Sequence, residues 1–232
     1  MALASVRGSG TVGAREDKAM IGSRTMVCGA LALALAAPAA AQKEIAEPGP
    51  YLHQGSGTVF PLKVGGFVRL RVVQYDAEGK DVSAGYDLVT PGGRVTLTEY
   101  VYPAPAAADA KAREAACTGL FEGAVQAISE RHPTFRKAPG SDPVAVDGTE
   151  PALRHRAIYT YRTRFHGTEQ PVRSQLDLYC YIAGDWLVKY RVTAPESVNG
   201  AAAVDAFIRT GPWPGRAMPE AEATAAGAAS GG

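Results

Sequence analysis

The sequence predicts an α+β protein in which two runs of antiparallel strands form a sheet that packs against two helices. Three observations support this class. Apolar residues alternate with polar ones in two separate groups of segments. A long helical stripe lies between the two groups. Hydrophobic residues make up 46% of the 232 residues, which is enough for a sizeable core.

The first run of strands is predicted within 67–102. Its segments alternate, are rich in β-branched and aromatic residues, and cover 67–75, 82–89 and 94–102. Turn-forming residues, DAEG at 76–79 and PGG at 91–93, separate the segments. Because such short turns join antiparallel neighbours, we expect a three-stranded meander.

A central helix is predicted over 106–131. One apolar stripe recurs at i, i+4, i+7 and i+11, formed by Cys117, Phe121, Ala124 and Ile128. Asp109 places a carboxylate in the first turn, where the helix dipole favours negative charge. His132 and Pro133 end the helix.

The second run of strands follows a loop at 138–151. It is predicted to contain three strands, at 153–165, 174–182 and 186–192. A short amphipathic helix over 195–208 ends the fold, and Thr-Gly-Pro at 210–212 stops it. The predicted order is β-β-β-α-β-β-β-α, with a central helix and a C-terminal helix packed on the sheet.

This order of elements, over most of 59–210, resembles the Mog1/PsbP-like fold, whose exported bacterial members include DcrB-type proteins. The resemblance rests on the order alone, with no diagnostic residue motif, so no functional residue is transferred from it. It implies a small helper or binding module.

The N-terminus has the pattern of a secretory signal peptide at 20–41. Arg24 precedes an apolar stretch, Pro38 breaks it, and small residues stand before a cleavage site at Ala41/Gln42. The alternative, a membrane anchor, requires an apolar run of about 20 residues, and this run is shorter. Residues 1–19 are expected to be an extension ahead of the true start, for which Met1, Met20 and Met26 all remain open.

The remaining chain is expected to be a soluble protein of the periplasm, or a secreted one. We predict a flexible leader at 42–58, a single domain at 59–213 and a disordered tail at 214–232, which has few residues able to form a core. Residues 42–232 carry 20 basic and 21 acidic side chains, so this part is near neutral. Such a balance argues against nucleic-acid binding, and no later apolar run is long enough to span a membrane.

No catalytic motif is recognisable. The four histidines, His53, His132, His155 and His166, do not have the spacing of a metal site. We therefore expect no metal, no cofactor and no catalytic residue, although a metal site assembled from distant residues remains open. The leading hypothesis is a non-catalytic module that binds an envelope partner or a small ligand. The alternatives are a hydrolase-like envelope enzyme with a site assembled from distant residues, and an architectural envelope protein.

The most suggestive group of side chains is basic and aromatic. Arg162 and Arg164 recur on one strand, and Tyr179 and Tyr181 alternate on the next. Guanidinium groups over tyrosine rings bind anionic or planar ligands, so these four residues are a candidate binding patch. The alternatives are that the arginines form a solvated face and that the tyrosines pack under the C-terminal helix. These alternatives stay open because the pairing register, which decides whether the four side chains share a face, is not readable from the sequence.

Cys117 and Cys180 are predicted to form a disulfide. Cleavage of the signal peptide would remove Cys28 and leave an even number of cysteines in an oxidising compartment. Cys117 lies on the helical stripe, and Cys180 shares a strand face with Leu178 and Ile182. A helix packed on that strand face would bring the cysteines together. The alternative is two buried, unpaired cysteines.

Overall fold

One large antiparallel sheet and two helices make up the part of the chain that a computed structural model describes, residues 42–146 and 153–216. The predicted α+β class is confirmed. In chain order the elements are β1 (Lys43–Ile45), β2 (Tyr51–His53), β3 (Thr58–Phe60), β4 (Lys63–Val64), β5 (Phe67–Gln74), β6 (Val82–Thr90), β7 (Gly93–Pro103), α1 (Ala110–Arg131), β8 (Arg136–Ala138), β9 (Leu153–Phe165), β10 (Thr168–Ile182), β11 (Trp186–Pro195) and α2 (Ala201–Thr210).

The pair β7–β11 joins two meanders into one sheet. The strand order is β1-β5-β6-β7-β11-β10-β9-β8, with β4 also paired to β5, while β2 and β3 form a separate hairpin. Consecutive strands are neighbours within each meander, so each one closes through local turns. The segment containing α1 carries the chain from β7 to the opposite edge, and the second meander then returns to the centre.

The main core lies on the face of the sheet that packs against α2. Alternate residues of a strand point to opposite faces, so the inward residues of β6, β7 and β11 share this side. Four fully buried rings there contact one another edge to face, those of Tyr86, Tyr190, Phe207 and Trp213. They fix α2 and the residues that follow it against the centre of the sheet.

On the opposite face, α1 packs against β9 and β10. Cys117 and Ile128 are the buried residues of the helix, and Phe121 is partly buried between their two clusters. The same face of β6, β7 and β11 carries partly exposed aromatic and basic side chains, including Tyr100 and Lys189. This side of the sheet is therefore polar beside α1.

Both helices begin later than the sequence predicts. Asp109 is the N-cap of α1, and its carboxylate accepts a hydrogen bond from the backbone N–H of Ala112 at 2.8 Å. The side chain therefore satisfies a free helix donor instead of lying in the first turn. Helix α2 starts at Ala201 because β11 continues to Pro195, which is paired with Val172.

The cysteine prediction is confirmed by a disulfide between Cys117 and Cys180, whose Cα atoms are 6.0 Å apart. The bridge links α1 to β10, so the helix is held on the face of the second meander. Leu178 and Leu187 pack around the bridge. The confirmation shows that the helical stripe and the strand face were correctly paired.

The prediction of a flexible leader at 42–58 is wrong, because this segment forms part of the fold. β1 pairs with β5 through Lys43 and Gln74, and β2 pairs with β3. Arg69 holds the connection between β1 and β2, since its guanidinium donates to the carbonyl of Glu47 at 2.9 Å. Strands of three residues are too short to show alternation, so the proline and glycine between them dominated the sequence pattern.

His53 forms a buried polar latch in the β2–β3 hairpin. Its Nε2–H donates to the carbonyl of Gly79 at 2.8 Å, and its Nδ1 accepts from the hydroxyl of Ser56 at 2.7 Å. The rings of His53 and Trp186 lie edge to face, with their centroids 5.2 Å apart. Both ring nitrogens are satisfied by a neutral imidazole, so the latch depends on the uncharged form.

The predicted extension 1–19 and signal peptide 20–41 lie outside the described residues, as do 147–152 within the chain. Of the predicted tail, only 214–216 are described. Trp213, at the predicted end of the domain, is fully buried, and its indole N–H donates to the carbonyl of Ile208 at 2.8 Å.

Replacing both cysteines with alanine is expected to lower the free energy of unfolding by roughly 4 kcal/mol, because the bridge closes a loop of 63 residues in the unfolded chain. Denaturant titration of the Cys117→Ala/Cys180→Ala variant and of the oxidised protein measures the difference. The reduced wild-type protein should match the variant. Equal midpoints for the variant and the oxidised protein would contradict the expectation.

Acid is expected to weaken the His53 latch. Burial lowers the pKa of His53 from its ordinary value, although the carbonyl of Gly79 opposes the shift. Below pH about 6.5, His53 is protonated in the unfolded chain but stays neutral in the folded protein. The contribution of neutral His53 to the free energy of unfolding is therefore lost as the pH falls from that value. Unfolding of wild type and His53→Gln, followed by tryptophan fluorescence at pH 7.5 and 5.5, should show the steeper loss of stability in wild type. Parallel losses would rule out this role.

Candidate functional site

The structure does not bring the predicted binding patch together. Arg162 and Arg164 are exposed near the hairpin end of β9, where they pair with Pro171 and Glu169. Tyr179 pairs with Arg154, eight residues from Arg162 along the same strand. At about 3.3 Å per residue this separation is roughly 26 Å, so the arginines and the tyrosines cannot form one patch.

The two tyrosines also lie on opposite faces. Tyr179 is fully buried on the α2 side, and its ring meets that of Trp213 edge to face at 4.9 Å. Tyr181 is the extra residue of a β-bulge between Cys180 and Ile182, with a φ of 61°. The bulge turns Tyr181 toward the disulfide side. The sequence prediction assumed strict alternation and so put Tyr179 and Tyr181 on one face, because a β-bulge leaves no signal in the sequence pattern.

Arg156 and Asp177, which lie on the same two strands as the predicted patch, form a buried ion pair. The guanidinium of Arg156 further contacts the carboxylate of Asp205 on α2 at 3.1 Å and the hydroxyl of Ser141 at 3.0 Å. Gln175 donates to the second oxygen of Asp177. These contacts tie β9 to α2, which is a structural role.

A different set of basic and aromatic residues does converge. We call it the cation–tyrosine face, and it consists of Arg71, Tyr75, Tyr100, Tyr102, Lys189 and Arg191. The register places Ser83, Tyr100 and Lys189 in one row across β6, β7 and β11. Gly85, Thr98 and Arg191 form the next row, and Arg71 pairs with Gly85. Gly85 leaves room for the Arg71 side chain, which lies over it.

Lys189 lies between two aromatic rings of this face. Its Nζ is 4.3 Å from the ring centroid of Tyr100 and 5.2 Å from that of Tyr102. The ring of Tyr75 is 6.1 Å from that of Tyr100. These distances are within the range of cation–π and aromatic contacts, so the ammonium and the rings hold one another in place.

Several groups of the face have shifted pKa values. Burial lowers the pKa of Lys189, with Asp81 opposing the shift and Arg191 adding to it. Burial raises the pKa values of Tyr100 and Tyr102, and that of Asp81. A partly exposed group of titratable residues with perturbed pKa values is typical of a functional site.

The charges of Lys189 and Arg191 are not paired with carboxylates. The ion pairs among the described residues join Arg94 to Asp87, and Arg156 to Asp177 and Asp205. Arg191 instead lies beside the hydroxyl of Tyr161, whose ring stacks on His132 at 3.8 Å. The face therefore presents half-buried positive charge supported by aromatic rings.

A cleft of about 730 Å³ lies between the second half of α1 and strands β8 and β9. Its walls include Phe121, Val125, Phe135 and Ile158, together with His155, whose ring stacks on Phe121 at 5.0 Å. The volume suits a small ligand. The wall carries charges of both signs, Glu122 and Asp142 against Lys137 and Arg156, and the charge of Arg156 is already paired with Asp177.

Glu99 is a fully buried acid on the α2 side of the sheet. The hydroxyl of Tyr190 donates to its Oε1 at 3.1 Å, and its Oε2 has no hydrogen-bond partner among the described residues. Burial raises the pKa of Glu99 well above its ordinary value, with Tyr190 opposing the shift. The carboxyl is enclosed by the core, so it affects stability and does not form part of the cation–tyrosine face.

No protein-family model matches the chain, and no curated protein matches it in sequence. Neither helix within 42–146 and 153–216 is long and apolar enough to cross a membrane. In the same ranges, no group of three or more His, Cys, Asp and Glu residues is placed to hold a metal ion.

The cation–tyrosine face was missed at the sequence level, although part of its signal was present. Tyr100 and Tyr102 are two residues apart on one strand, and Lys189 and Arg191 are two residues apart on another, so each pair points to one face of its strand. The missing information was that the two strands are neighbours, since residues 104–185 lie between them in the chain and only the sheet order brings them together.

Replacing Glu99 with glutamine is expected to stabilise the protein more at high pH than at low pH. Above the ordinary carboxyl pKa the unfolded chain releases a proton that folded Glu99 retains, so wild-type stability falls as pH rises toward the folded pKa. The difference between Glu99→Gln and wild type should grow by up to about 1.4 kcal/mol per pH unit. Denaturant titrations at pH 5, 6, 7 and 8 measure it, and a constant difference would contradict a retained proton.

Proposed function

We propose that the protein is an exported, non-catalytic module of the cell envelope that binds a partner at its cation–tyrosine face. The observation that carries the proposal is the placement of Lys189 between Tyr100 and Tyr102, with Arg191 next to it and neither cation paired with a carboxylate. Aromatic and arginine side chains that are half-buried before binding are common anchors of protein interfaces.

The disulfide supports export. Structural disulfides form and persist in oxidising compartments such as the periplasm, and the bridge between Cys117 and Cys180 links two distant parts of the fold. The signal-peptide pattern at 20–41 agrees with this location. The element order, which resembles the Mog1/PsbP-like fold and its DcrB-type members, is consistent with a helper or binding module.

An envelope enzyme is the second candidate, favoured by one specific observation. Lys189, Asp81, Tyr100 and Tyr102 are neighbouring titratable groups with shifted pKa values, as in many active sites. However, these groups lie on an open sheet face, where water competes for the charges that a catalyst would use. Rings that flank a cation in such a place are better suited to binding than to catalysis.

Capture from a periplasmic extract tests the proposal. Immobilised wild-type protein is expected to retain a partner that the Tyr100→Ala protein retains at least tenfold less, because the substitution removes the ring beneath Lys189 and beside Tyr75. Quantitative mass spectrometry of the eluates measures the ratio.

Tyr51→Ala is the matched control for this experiment. Tyr51 is also partly exposed, but it lies on β2 against Phe60 and away from the face. Thermal unfolding of each variant shows whether the fold is kept. Retention of the same proteins in the same amounts by wild type, Tyr100→Ala and Tyr51→Ala would refute binding at this face.

A further inference from the structure

Positive charge is in excess around Tyr100. Lys189 lies over its ring, and the charges of Arg71 and Arg191 both lower the pKa of its hydroxyl against the raising effect of burial. Asp81 is the acidic group that acts on the same hydroxyl. Three cations and one carboxylate, Asp81, therefore act at Tyr100, while Glu44 lines the outer edge of the face beside Arg71. Positive charge is still in excess, which makes the face complementary to a negatively charged partner.

Partial burial strengthens this complementarity. Lys189 and Arg191 are half-buried, so solvent screens their charges less than it screens the exposed arginines of β9. Neither cation belongs to an ion pair of the described residues. A carboxylate that approached them would replace water lost on folding and would form charge-assisted hydrogen bonds.

The spacing of the cations indicates the form of the partner. Lys189 and Arg191 are two residues apart on β11 and point to the same face, so their Cα atoms are separated by about 6.6 Å. An extended peptide places the side chains of residues i and i+2 the same distance apart. From β5 to β11 the face crosses three strand spacings, or about 14 Å, and its side chains are partly exposed, which suits a peptide chain better than an enclosed small molecule.

We infer that the cation–tyrosine face binds an extended acidic segment of a partner protein, whose carboxylates lie on alternate residues and contact Lys189 and Arg191. Tyr75 and Tyr100 pack against the apolar parts of the segment. The inference rests on the proposed function, because it states the chemistry of the partner bound at the same face.

A synthetic peptide of alternating Glu and Thr, eight residues long, is the probe. Isothermal titration at low ionic strength is expected to give binding to wild type, at least tenfold weaker binding to Lys189→Met and at least threefold weaker binding to Arg71→Gln. Methionine keeps an apolar stem over the rings of Tyr100 and Tyr102 without the charge. Arg71 is exposed, so its replacement tests the charge with little risk to the fold.

Arg164→Gln is the matched control, because it removes one positive charge from an exposed site outside the face. It should change the affinity less than twofold. A peptide with four adjacent Glu followed by four Thr should bind at least threefold more weakly than the alternating one, and a Lys–Thr peptide should not bind.

Three results would overturn the inference: no binding of the alternating peptide to wild type, an equal loss in Arg164→Gln, or displacement of the peptide by inorganic phosphate at equal concentration. The last result would assign the face to small anions. Capture from the periplasmic extract distinguishes failure of the acidic-segment inference from failure of the proposed function. Loss of the partner in Tyr100→Ala with full retention in Lys189→Met would leave the binding face standing and reject the acidic segment.

Discussion

The pairing of β7 with β11 is the constraint on which the rest of the structure depends. It is the sole ladder between the two meanders among the described residues, and it converts them into one continuous sheet with two distinct faces. The same ladder places Glu99 opposite Tyr190 in the core and Tyr100 opposite Lys189 on the other side. A shift of one residue in this register would exchange the two faces, so the buried acid and the cation–tyrosine face are specified together.

Much of the fold was readable from the sequence because its information is local. Alternation and turn residues identified the long strands, and the stripe through Cys117 and Ile128 identified the buried side of α1. The expected oxidising compartment, together with the apolar faces on which the two cysteines lie, then predicted the pairing of Cys117 with Cys180. The short strands β1 to β4 and β8 escaped notice, because two or three residues cannot establish a period and their stability comes from pairing with longer strands.

The candidate site was not predictable in the same way, because it depends on long-range pairing. The bulge at Tyr181 separated two tyrosines that alternation had placed on one face. The arginines at 162 and 164 were correctly assigned to the sheet, but their register put them at the exposed hairpin end. Tyr100 and Lys189 belong to strands on either side of α1 in the chain, so the order of strands in the sheet had to be known before their proximity could be seen.

The position of β11 also has a consequence for how the chain folds. One edge of β7 has its hydrogen-bonding groups satisfied by β11, the last strand in the part of the chain that the structure describes, so that edge stays unpaired until residues 186–195 have emerged. An unpaired edge in a partly made chain is a template for association with other chains. Contacts between strands so far apart in sequence also slow folding, because a long loop must close before they form. The first meander therefore needs protection from intermolecular pairing for longer than the second.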